Sequence, residues 1–126
     1  MAIDTDTFQY QDSRWQDIYL CLKEHGFDVY SPGQKQGECT SPYVVVKNDG
    51  GYKHFDYSSL REQYSVEVFV PRNQYSKLEV LVMKVREAMK DLYPMIQDYG
   101  QMQPSQYDDL TKSHSQSIEY ENYKKL

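Results

Sequence analysis

Long apolar runs are missing from this chain. The longest spans about four residues, Tyr43 to Val46, and the mean hydropathy is −0.84. A membrane-spanning helix needs about 20 such residues, so no membrane partner is expected. The opening Met1-Ala2-Ile3-Asp4 has neither the basic nor the apolar stretch of a secretory leader. The expectation is a protein that stays in the cell that makes it. Cysteine is scarce as well: there are two, Cys21 and Cys39, with no C-x-x-C. That usage favours two reduced thiols over a disulfide or a metal site.

Positive charge is short. The 14 basic residues face 19 acidic ones, for a net charge of −5, and no more than two basic residues are adjacent. Phosphate-backbone binding needs a basic surface that releases counterions, so nucleic acid is not an expected partner.

Catalytic patterns are absent too. His25, His54 and His114 are scattered, with no H-x-H or H-E-x-x-H. A metal site needs several ligands at fixed spacings, so neither a metal nor a cofactor is expected. No nucleophile elbow and no phosphate-cradling glycine loop is present. Asp108-Asp109 reads as a solvated acidic loop. The residues give no catalytic assignment, and the chain reads as a non-enzyme.

Tyrosine, by contrast, is abundant: 13 in 126 residues. Its large rigid ring and polar tip suit a surface that is wet alone and buried in a complex. The same rings can also fill a small core.

The length fits one domain, residues 1–126. Residues 1–12 are polar and aperiodic and read as an N-terminal arm. The first helix is predicted over about Ser13 to His25. Ser13 and Gln16 match a capping box, and Trp15, Ile18, Tyr19 and Leu22 form one stripe. Gly26 suits the position just beyond the end. A short strand is predicted at Phe27 to Ser31, stopped by Pro32-Gly33. Tyr43 to Val46 reads as a strand covered on both faces. Asn48-Asp49-Gly50-Gly51 reads as a turn, and Tyr52 to Asp56 as either a short return strand or an extended loop. Between Arg61 and Pro71, Tyr64, Val66, Val68 and Val70 alternate with Ser65, Glu67 and Phe69.

The second helix is predicted over Ser76 to Leu92. Ser76 and Glu79 form a capping box, Leu78, Leu81, Val82, Val85, Ala88, Met89 and Leu92 an apolar stripe, and Pro94 the stop. Residues 95–110 read as a long loop and Thr111 to Lys125 as a polar strand. The fold class is α+β: an antiparallel sheet of about four strands with two main helices on one face. Leu20, Val80 and Met83 fall off their helices' core stripes, and Phe69 lies on the sheet's second face. All four are candidates for subunit contact.

This layout resembles a known family. A capped N-terminal helix, the P-Y-V-V-V segment at 42–46, the Q-Y-S-V-E-V-F-V strand at 63–70, a long amphipathic helix, a variable loop and the closing H-S-Q-S-I-E-Y-E-N-Y strand at 114–123 are similar to the tail terminator, or tail-completion, proteins of tailed bacteriophages and phage-tail-like bacteriocin particles. The resemblance spans residues 13–125 and is one of pattern, since the family has no strict motif. It implies a structural subunit that assembles with itself into a ring, usually sixfold, on the head-proximal end of the tail tube. Its implied partners are tail tube protein and a neck, collar or sheath protein.

Assembly would take place in the bacterial cytoplasm, and the ring would end in the virion or tail-like particle. Under that resemblance Leu20, Val80, Met83 and Phe69 flank subunit contacts. The segments 49–57 and 98–109, with Asp49, Gly50, Tyr52, Tyr99, Gln103 and Tyr107, meet the axial partners. Two alternatives stay open: a neck or connector-completion protein, and an unrelated acidic cytosolic adaptor or inhibitor module.

Overall fold

The computed structural model describes residues 14–53 and 59–125. The arm at 1–12 and Ser13 of the first capping box lie outside them. The elements are α1 (Trp15–Glu24), β1 (Val29–Tyr30), β2 (Tyr43–Lys53), β3 (Ser59–Pro71), α2 (Leu78–Met89), β4 (Gln97–Met102), β5 (Gln106–Asp108) and β6 (Ser113–Lys125). Short 3-10 turns precede and follow α2, at Arg72–Lys77 and Lys90–Leu92.

The sheet has six strands rather than about four. Its order is β1-β2-β3-β6-β4, with β5 also pairing with β6. All pairs are antiparallel except β1 with β2. The α+β class therefore stands, but the strand count needs correction. The main source is the segment 95–110, which is not a loop. β6 has a free edge beyond its long pairing with β3, and β4 and β5 satisfy that edge by laddering onto it. Gln97-Asp98-Tyr99-Gly100-Gln101-Met102 shows no apolar alternation because its register breaks between Asp98 and Met102.

A second correction concerns Asn48-Asp49-Gly50-Gly51, which is no chain-reversing turn. It is an irregularity inside β2, where Asn48 pairs with Tyr64 and Gly51 with Glu62. The Gly50 N–H donates to Asn48 Oδ1 at 2.7 Å, and Gly50 takes φ +89°. That Asx closure is the local signature of a turn, here used to bulge a strand. The predicted side-chain cap of α2 needs revision as well. α2 is preceded by Lys77, which makes no side-chain cap hydrogen bond. At α2 the 3-10 turn leads straight into the helix, so Ser76 lies inside a turn rather than at a start.

Alternation builds the core. Val44 and Val46 of β2, Tyr64, Val66, Val68 and Val70 of β3, and Ile118 and Tyr120 of β6 face the helices. Ile18 and Leu22 of α1 and Leu78, Val82, Val85, Ala88 and Met89 of α2 close over them. α1 packs on β1 and β2, and α2 on β3 and β6. The Trp15 indole N–H donates to the Val46 carbonyl at 2.7 Å, pinning the first turn of α1 to β2. Gly26, at φ +89°, ends α1 as expected, with its N–H bonded to the Lys23 carbonyl.

Candidate assembly surface

α2 spends one face on the core and leaves another uncovered. Val80 is 52% exposed and Met83 65%, three residues apart and so neighbours on the helix surface. Leu20 of α1 is 46% exposed. All three are outside the core, where the stripe arithmetic placed them. Leu20 belongs to the half of the helical layer above β1 and β2, whereas Val80 and Met83 belong to the half above β3 and β6.

Met83 also borders a furrow between α2 and the added strands. One hollow, of about 590 Å³, is lined by Met83, Met89, Tyr93, Ile96 and Tyr120 together with the charged Arg86, Glu87, Lys90 and Asp98. A second, of about 460 Å³, continues past Met83 and Arg86 to Tyr75, Met102 and Ser105. Arg86 reaches Asp98 at 3.2 Å and so ties the helix to β4 across the furrow. Burial, with Asp98 adding to it and Arg86 opposing it, keeps the Tyr120 phenol protonated well above its ordinary range. Of these lining residues Tyr75, Tyr93 and Met102 are exposed. Sequence reasoning missed this furrow because it exists only once 97–108 folds against β6.

Phe69 is engaged within the chain. It is partly buried on the sheet face opposite the helices and stacks on Tyr43. Tyr30 meets Tyr43 edge-on, and the Lys35 ammonium lies 5.5 Å from the Tyr30 ring centre. Cys39 is buried nearby, its N–H bonded to the Thr111 carbonyl. Beyond this aromatic corner the same face turns polar: Lys47, Asp49, Gln63, Ser65, Glu67, Gln103, Ser117 and Glu119 surround a shallow hollow.

The candidate axial residues divide between two places. Asp49 and Gly50 lie on the β2 bulge, with Asp49 3.9 Å from Lys47. Tyr52 is in β2 opposite Arg61, and Tyr99 is in β4. Gln103 donates to Glu119 Oε1 at 3.1 Å. Tyr107 pairs with His114, their rings 5.0 Å apart. The two irregular stretches share one level of the sheet, because Asn48, Tyr64, Tyr120 and Asp98 are successive cross-strand partners. Gly100 repeats the Gly50 device: φ +87°, with its N–H bonded to Asp98 Oδ1 at 2.7 Å. Asp108 is likewise used locally, accepting from the Leu110 N–H and the Thr111 hydroxyl.

One polar cluster falls outside these surfaces. Cys21, His25 and Asp91 bring three donor atoms within 4.8 Å of one another. The scattered histidines gave no sign of it, although the C-x-x-x-H spacing on α1 carries half of it. Asp91 arrives from 66 residues beyond His25.

The chain matches no protein-family model and no curated protein.

Proposed function

We propose that the protein is a structural assembly subunit of the tail terminator type, forming a ring that caps the head-proximal end of a phage-type tail tube and joins it to neck or sheath. The observation that carries the reading is the uncovered strip of α2, Val80 and Met83, beside a furrow of mixed apolar and charged lining. Single exposed apolar residues are ordinary, but exposed apolar residues that adjoin one another belong to the kind of patch that marks interaction surfaces. Leu20 lies in the other half of the helical layer. A contact between unlike patches of neighbouring copies is head-to-tail, and such contacts give a ring when the rotation between copies closes and a filament when it does not. The two bulges at one level of the sheet supply irregular edges suited to an axial partner. The layout of two helices over a largely antiparallel sheet accords with the resemblance.

The test is negative-stain microscopy of the purified protein, alone and mixed with tail tubes from the same gene cluster. Rings, or caps at one tube end, are expected. Monomers that never decorate a tube would transfer the reading to an adaptor module whose partner uses the furrow.

A further inference from the structure

Cys21 lies in the last turns of α1 and His25, four residues on, caps its end, so their side chains lie on one side. Asp91, in the 3-10 turn that ends α2, meets them there. His25 Nε2 is 2.6 Å from Asp91 Oδ2, and the Cys21 thiol donates weakly to the Ala88 carbonyl at 3.4 Å. Three different donors, sulfur, imidazole nitrogen and carboxylate oxygen, thus converge at the seam between the two helices.

We infer that Cys21, His25 and Asp91 form a binding site for a borderline divalent cation of the zinc class, which joins the end of α1 to the end of α2. The donor chemistry selects the ion. Thiolate, imidazole and carboxylate together suit Zn²⁺ and Co²⁺, whereas Ca²⁺ and Mg²⁺ take oxygen donors. Donors around a tetrahedral zinc lie roughly 3.3–3.8 Å apart. All separations here are within 4.8 Å, and the 2.6 Å contact between His25 Nε2 and Asp91 Oδ2 would open to the tetrahedral spacing around an ion; both side chains, 41% and 63% exposed, lie at the surface. Cys21 is the buried anchor, and His25 and Asp91 stand on the solvent side. Without an ion, an exposed His–Asp pair contributes little to stability. With one, the same atoms would link two segments far apart in sequence.

The experiment uses the full chain, freed of metal by a chelator, and titrates it with Co²⁺ and then Zn²⁺. A near-ultraviolet thiolate-to-cobalt band saturating at one ion per chain is expected, together with a rise in Tm on adding Zn²⁺. Cys21→Ser should abolish the band and Cys39→Ser should keep it. His25→Asn changes an exposed residue, so it reports even if Cys21→Ser folds poorly; it should weaken Co²⁺ binding by roughly tenfold or more. The proposal is overturned by a folded wild-type chain that gives no thiolate band. It is equally overturned if the band depends on Cys39, or if His25→Asn binds as tightly as wild type.

Discussion

The Tyr43 ring stacks on the Phe69 ring, with centroids 4.8 Å apart and planes 14° from parallel. The pair lies directly across β2 and β3, on the sheet face turned away from the helices. That corner of the second face is therefore a small hydrophobic cluster of its own. Cross-strand aromatic pairs add to stability beyond their buried area. Phe69→Ala should lower unfolding free energy by about 1–3 kcal/mol. Urea denaturation checks it. An unchanged midpoint would mean that Phe69 is kept for contact with another molecule and not for the fold.

The same packing should appear at alkaline pH. Burial, reinforced by Cys39 and by the charges of Asp108 and Glu67, pushes the Tyr43 phenol up to about 12 from its ordinary 10. The folded chain then holds this proton more tightly than the unfolded chain does. The associated stability is complete below pH 10 and is lost as pH rises through 12. Tm should fall across that interval, and Tyr43→Phe should flatten the fall. A Tyr43→Phe curve parallel to wild type would show that other tyrosines, such as the more deeply buried Tyr120, dominate the loss.

Gly50 and Gly51 are adjacent but are needed for different reasons. A Cβ on Gly50 would meet no atom within 4 Å, yet its φ of +89° disfavours any L side chain. A Cβ on Gly51 would lie 2.8 Å from the Arg61 carbonyl oxygen. Gly50→Ala should therefore cost about 1–2 kcal/mol through backbone strain alone. Gly51→Ala should also disturb the β2–β3 ladder, since backbone cannot step aside. Amide exchange separates the two: only Gly51→Ala should speed exchange around Arg61 and Glu62. Equal protection in both variants would contradict the steric account.

What was legible in the sequence follows from what was periodic. The strict alternation from Tyr64 to Val70 and the 3.6-residue stripe from Leu78 to Met89 named their core faces correctly, because burial on one side imposes those periods. Asn48 to Gly51 misled because Asx-Gly closure serves a bulge as well as a turn, and local chemistry alone does not separate them. β4 and β5 escaped notice because edge strands take their hydrogen bonds from β6 while contributing little apolar pattern. Of the candidate surface, the helical positions were readable by angle. The furrow and the Cys21–His25–Asp91 cluster were not, since each needs segments brought together by the tertiary fold.

The two sides of α2 give the sharpest test of the assembly reading. Val85 has no exposed surface, and Val82 is 3% exposed. Truncating Val85 to Ala removes methyl groups from a packed site that cannot fully collapse. It should cost about 1–3 kcal/mol, read as a lower Tm. Val80 and Met83 face outward on the same helix, so Val80→Glu with Met83→Glu buries no charge in the monomer. That double variant should keep its helical circular dichroism and its Tm within a few degrees of wild type. It should lose ring or tube-cap formation, because each copy would present two carboxylates to an apolar partner, and buried unpaired charge is strongly disfavoured. A variant that unfolds would mean the strip belongs to the core. One that stays folded and still caps tubes would remove Val80 and Met83 from the contact and leave Leu20 and the bulges as the surfaces to test.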